Sequence, residues 1–250
     1  MSFTYNGVNC ETLGMFVENF PSRPFPQRKQ TVYSVAGRSG DLIVDENAYT
    51  NVVQEYDVFV KGGTVSLQDQ LSVIAQWLLG HAGYADLTDS YDTSIYRRAR
   101  VANAVEFLNS LNKYGKATIQ FDCEPQRYPT TPEVLTTTFD DVAQTLTYPS
   151  GIGLLPAYPR IEITGKQTSA CPRIVAGNLQ IDIATSAAIN KIVIDFATQS
   201  IYNAYTNQRP LLTSAIGTWD MLTDGDTVTL TNETSNSSMT ATVYTRRYKI

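Results

Sequence analysis

Histidine is nearly absent from this chain of 250 residues, with His81 its single representative. That scarcity removes multi-histidine zinc sites and acid–base schemes built on two imidazoles. Cysteine is almost as rare. Cys10, Cys123 and Cys171 are odd in number and far apart, so they draw neither a disulfide framework nor a C-x-x-C metal or redox site, and they read as buried free thiols. No stretch approaches the ~20 consecutive apolar residues of a membrane span. The opening MSFTYNGVNCETL lacks both the basic and the apolar region of a secretory signal, which implies a chain made and kept in the cytosol. A basic excess is missing too. Residues 1–130 hold 11 Lys/Arg against 14 Asp/Glu, and residues 131–250 hold 8 against 10, which argues against affinity won by neutralising phosphates. No G-x-S-x-G elbow occurs and one histidine is a poor basis for a triad, so no enzyme is expected and no catalytic residue, cofactor or metal is assigned.

What the sequence does have is period two. ATIQFDC sets Ala117, Ile119, Phe121 and Cys123 on one face against Thr118, Gln120 and Asp122, and LQIDIAT sets Leu179, Ile181 and Ile183 against Gln180 and Asp182. The same alternation places Tyr56, Val58 and Val60 inward, groups Ile95, Arg97, Ala99 and Val101, and pairs Ile161 with Ile163. KIVIDFA is apolar on both faces, as a central strand is. YNGV at 5–8 predicts a type I′ hairpin, and DGD at 224–226 predicts another between WDML and TVTL. One segment reads as a helix near 66–79: Ser66 caps with Asp69 three residues on, Leu67, Leu71, Ile74, Trp77 and Leu78 share a face, and Gly80 follows.

Pro125, Pro129, Pro132, Pro149, Pro156 and Pro159 crowd the middle of the chain, where central strands do not tolerate them. The reading is therefore mainly β in two domains. Residues 1–132 carry the one helix, 133–158 form a Pro/Gly-rich junction, and 159–250 form a second β domain.

TVYSVAGRSGDLIVD at 31–45 spaces two glycines as phosphate loops do. DLIVD after them alternates like a strand, so no helix N-terminus awaits an anion, and a turn or bulge is the better reading. Gly37 and Gly40 then let the chain turn sharply while Arg38 and Asp41 project as a charged pair, a candidate contact between subunits. Asp140–Asp141 and Asp220, Asp224 and Asp226 read as turn chemistry rather than as a calcium loop, since the glutamate closing such a loop is missing. NET at 232–234 and NSS at 236–238 fit glycosylation sequons but read as polar loops. Trp219, Tyr202, Tyr205, Tyr244 and Tyr248 gather in the second domain, and Trp219 and Tyr244 are candidates for stacking on sugars.

In order along the chain, FTYNGVNC, VAGRSGDLIVD, YDVFVKG, a helix ending in WLLG, YRRARV, GKATIQFDCEPQRYP, PRIEITG, KIVIDFATQSIYNAY, GTWDMLTDGDTVTL and YTRRYKI resemble the distal tail protein family of long-tailed, non-contractile bacteriophages. The resemblance covers nearly the whole chain. It implies an N-terminal domain related to tail-tube proteins, a β-sandwich that assembles as a homo-hexameric ring around the tail channel. It also implies a C-terminal β-sandwich like galectins and carbohydrate-binding modules. Such a hub sits at the distal end of the virion tail after assembly in the host cytoplasm. It joins the tail tube (major tail) protein to tail-tip proteins and to receptor-binding or baseplate proteins, and DNA only passes through. A carbohydrate-binding module for host glycans is the alternative that the aromatics of the second domain suggest.

Overall fold

The computed structural model describes every residue except 63–64, 103–105, 111–113, 169, 184–187, 205–213 and 234–236. Two units divide the chain: Met1–Thr130 with Ile250, and Thr131–Lys249.

In the first unit the elements run β1 (Phe3–Tyr5), β2 (Val8–Asn9), a 3-10 turn (Cys10–Leu13), β3 (Met15–Val17), β4 (Arg28–Tyr33), β5 (Leu42–Tyr49), β6 (Val52–Lys61), α1 (Leu67–Leu79), β7 (Ala85–Asp89), β8 (Ile95–Val101), β9 (Leu108–Ser110) and β10 (Tyr114–Pro129). Eight of these strands form one antiparallel sheet in the order β2-β1-β7-β8-β10-β6-β3, with β9 also on β10. The sheet curls onto itself. Four pairings separate β1 from β6, about 19 Å across a flat sheet at ~4.8 Å per strand. The Phe3 and Tyr56 rings nonetheless lie 4.7 Å apart, and Val17 N donates to Met1 O at 3.0 Å. Inside the curl, Phe3, Tyr5, Tyr56, Ile119, Phe121 and Cys123 are buried, as alternation in β6 and β10 requires.

The helix has the expected cap: Ser66 Oγ accepts from Asp69 N at 3.2 Å, and Leu67, Ile74 and Leu78 are buried. Trp77 Nε1 donates to Tyr5 O at 3.0 Å, which ties the helix to β1. Asn6 and Gly7, at φ 49° and 77°, make the type I′ turn between β1 and β2. Pro125 does lie inside a strand, β10, and the ladder explains how. Between Cys123 and Arg127 the register against β8 shifts, so the proline sits in a bulge where no ladder bond is required of it.

The second unit holds β11 (Val134–Phe139), β12 (Gln144–Thr147), β13 (Arg160–Lys166), β14 (Pro172–Ala176), β15 (Leu179–Asp182), β16 (Ile189–Asp195), β17 (Ser200–Asn203), β18 (Ser214–Ile216), β19 (Thr227–Asn232) and β20 (Met239–Tyr244). Two five-stranded antiparallel sheets, β11-β20-β13-β16-β17 and β12-β19-β14-β15-β18, enclose one core that includes Ile161, Ile163, Ile174, Ile181, Ile192, Ile194, Leu230 and Val243. This is a β-sandwich. Arg247, 2 % exposed, anchors its end by bonding to both carboxylate oxygens of Glu133, to Asp224 and to Pro149 O.

Three expectations are corrected. Residues 133–158 are no bare junction: β11 and β12 open the sandwich there, because the Thr-rich runs suit strands and Pro132, Pro149 and Pro156 fall outside them. The DGD segment turns, with Gly225 at φ 83°, but makes no hairpin with WDML; Leu222 bridges Ala157, while β19 pairs with β12 and β14. Asn232 is no polar loop residue. It ends β19 at 1 % exposed, its Oδ1 accepting from Cys171 N and its Nδ2 donating to Ser237 O. Tyr205 and Asn236 lie outside the described residues.

Candidate functional site

The β4–β5 ribbon is the part of the first unit that its own core does not account for. It pairs as a separate two-stranded sheet, with Thr31 opposite Val44, Val32 opposite Ile43 and Tyr33 opposite Leu42. Neighbouring positions point to opposite faces, so apolar side chains line both sides. Val32, Tyr33 and Ile43 are 55 %, 53 % and 58 % exposed, and Val35, Leu42 and Val44 are exposed with them. A lone two-stranded ribbon is marginal in water. Each such side chain gains about 1.5–3 kcal/mol on full burial, and among the described residues no further strand pairs with either outer edge.

Local chemistry fixes the ribbon's shape. At its tip Arg38 N donates to Val35 O at 3.1 Å with Gly37 at φ 80°, a type II turn in which the third residue must be left-handed. At its root Thr50 N donates to Gln27 O at 2.9 Å, and Arg28 pairs with Asp45 and lies over the Tyr49 ring. Asn47, at φ 52°, donates its N–H to Asp45 Oδ1 at 3.0 Å and supplies the bulge between Arg28 and Gln30. Arg38 and Asp41 are both exposed at the tip, as the glycine spacing predicts, but no ion pair joins them among the described residues. They are two separate outward charges.

A proline-rich strap, residues 18–27, runs from β3 to β4. Phe20 and Phe25 are exposed on it, while Gln54 Nε2 donates to Ser22 O at 2.9 Å and Arg23 lies 4.5 Å over the Tyr91 ring. No sequence reading singled out this strap; its Pro21, Pro24 and Pro26 spacing was the available signal.

The proposed sugar platform is not assembled. Trp219 packs edge-on against Phe196 at 5.1 Å, on the core side of the sheet that contains β16. Tyr244 is on the outer side of the same sheet, its hydroxyl donating to Glu162 at 3.4 Å, with Arg160 and Lys191 also on that carboxylate. The carboxylates separate as well: Asp140 accepts from Val142 N, Asp220 from Asn178 and Thr218, Asp226 from Thr223 N, and Asp224 pairs with Arg247. His81 is exposed beside Tyr84 O, Cys10 and Cys123 are buried, and Cys171 is half-buried rather than buried.

No protein-family model matches the chain, and no curated protein matches it either. Among solved structures it is similar to the SPP1 Dit protein, described as a paradigm of hub adsorption apparatus in Gram-positive infecting phages. The TM-score is 0.67 at 16% identity, covering 97% of this chain and 98% of that one. The two share a fold from end to end. A structure of the infectious bursal disease virus Gx strain, at TM-score 0.14 and 12% identity over 89% of this chain and 61% of that one, carries no argument.

Proposed function

We propose that this chain is a structural virion protein, the ring-forming hub at the distal end of a phage tail, joining the tail tube to the tail-tip or baseplate proteins used in attachment and DNA delivery. The observation that carries this reading is the ribbon: a hub-like fold holding out a two-stranded sheet with apolar residues on both faces and two open edges. A neighbouring copy is the occupant that supplies both missing things at once, strands for the edges and apolar surface for the faces. Such contacts are head-to-tail, and closed rings result when one pair of complementary surfaces repeats around an axis. Six copies is the number that the family resemblance implies.

Arg38 and Asp41, as separate charges at the ribbon tip, are placed to meet opposite charges on the neighbour and so to set register. The tail-tube protein on one side and tail-tip or receptor-binding proteins on the other are the partners of such a ring. Its place is the virion, after assembly in the host cytoplasm, and DNA passes through without being recognised. The glycan alternative has no comparable support, because half-buried Trp219 packs against Phe196 and Tyr244 lies on the other side of that sheet.

Light scattering coupled to size exclusion, with electron microscopy of the purified protein, tests the reading. Six-fold rings are the expected result, and a strict monomer at high concentration overturns it. Arg38→Glu should weaken assembly without unfolding the monomer; unchanged assembly removes the tip from the interface.

A further inference from the structure

A head-to-tail ring asks each copy for two different surfaces, one that is inserted and one that receives. The β4–β5 ribbon is the first, and β9 has the features of the second. β9 pairs with Tyr114, Gly115 and Lys116 of β10, and among the described residues no strand pairs with its other side. Apolar surface flanks it on both faces. On one, Leu108 ends a row that crosses the sheet from Phe16 through Phe59 and Lys116, each the register partner of the next, with the two phenylalanine rings stacked at 5.3 Å and Leu108 76 % exposed. On the other, Phe107 lines a groove of about 330 Å³ with Leu71, Ala75, Leu78 and Leu79 of α1. Leu79 is exposed there, on the side of the helix turned away from buried Ile74.

Charge selects which edge of the ribbon fits. β4 carries Arg28 and Lys29, whereas β5 carries Asp45 and Glu46. Arg28 pairs with Asp45 and Glu46 accepts from Thr31, but Lys29 and, at the tip, Arg38 have no carboxylate within 4.0 Å among the described residues. The receiving side has the opposite sign. α1 contains no lysine or arginine, its one charge is Asp69, and exposed Glu106 stands beside Phe107. Lys116 in the outer row is already held by Glu18 at 2.5 Å.

We propose that the groove between α1 and β9 receives the β4–β5 ribbon of a second copy, with the outer edge of β4 pairing along β9. The inference rests on the ring reading and names the surface that completes it. Tyr33, Leu42 and Val44 share one face of the ribbon and seat against Leu71, Ala75, Leu79 and Phe107. Val32 and Ile43, on the other face, extend the row that ends at Leu108. Strand addition of this kind draws affinity from main-chain hydrogen bonds and fit from alternate side chains. Lys29 and Arg38 approach Glu106 and Asp69, which sets the register. The chain itself thus carries the matching piece: an edge for an edge, apolar faces for apolar faces, and cations for carboxylates.

When Tyr33→Cys and Leu79→Cys chains are mixed and assembled, a short bismaleimide should link one variant to the other, and a chain carrying both changes should give a ladder of covalent oligomers. The parent chain is the control, since its Cys10 and Cys123 are buried and Cys171 is half-buried. Should either change disturb assembly, hydrogen exchange on the unchanged chain reads the same contact: amides at 107–110 should slow about tenfold or more between dilute monomer and ring. Rings of the variants that give no cross-link, or rings of the unchanged chain with unaltered exchange at 107–110, overturn this docking and leave the ring reading standing. An unchanged chain that stays monomeric at high concentration overturns both.

Discussion

Within the first unit, β4–β5 and β6–β10 are both long antiparallel pairs rich in strand-forming residues, yet they do opposite things. β6 alternates strictly, burying Val52, Gln54, Tyr56, Val58 and Val60, while its other face meets water through pairs such as Gln120–Glu55 and Thr118–Asp57. The β4–β5 ribbon breaks that rule, with Thr31, Val32 and Tyr33 opposite Val44, Ile43 and Leu42 and no buried side. Alternation marks a strand whose core lies within its own unit. An apolar run without alternation, on a ribbon that no core covers, marks one that needs a surface from elsewhere.

That contrast can be broken by mutation. Phe121→Ala, in the core beneath β10, should cost about 3–5 kcal/mol of stability in denaturant unfolding. A loss under about 1 kcal/mol there would mean the curled sheet is not the stable body. In the ribbon, Gly37→Ala forces a Cβ into the left-handed region, at about 1 kcal/mol. Hydrogen exchange across 31–44 should then speed up roughly fivefold while β6 and β10 stay unchanged. Exchange that speeds up in both places would show the ribbon to be part of the same cooperative body.

A pH effect should belong to the core alone. The buried Cys123 thiol lies at about 12 against an ordinary value of 9.0, so the folded state keeps its proton where the unfolded chain loses it. Stability is therefore full below the unfolded value and falls as pH rises from there toward the folded one. Cys123→Ala should flatten that alkaline decline in unfolding curves; Tyr56, also pushed up by burial, leaves a remainder. An identical slope in the variant would assign the decline elsewhere. The smallest effect is expected of Ile43→Ala, which should leave monomer stability within about 0.5 kcal/mol while weakening assembly. Intact rings in that variant would take Ile43 out of the interface.

The reach of sequence reasoning follows the same division. The helix and its Ser66 cap, the Asn6–Gly7 turn, the inward faces of β6, β8 and β10, and the turn at Gly37 were legible because each depends on residues a few positions apart. The strands at 134–139 and 144–147 were hidden by prolines that lie around them, and the DGD hairpin failed because the partner of Leu222 is Ala157, 65 positions away. Trp219 and Tyr244 looked like one aromatic platform in composition, but strand alternation and sheet packing put them on opposite sides of a sheet.

By itself, then, the sequence determined a mainly β chain with one capped helix, little basis for histidine or cysteine chemistry, and a glycine-made turn between two apolar strands. Local backbone preference and side-chain period decide those things. Only the tertiary structure decided that the first sheet curls until Phe3 meets Tyr56, that the ribbon is left uncovered, and that Arg97 and Arg127 stand opposite one another in a cleft with Arg23. These depend on pairings between distant segments, whose register is set by how the whole core fills and not by any short stretch of residues.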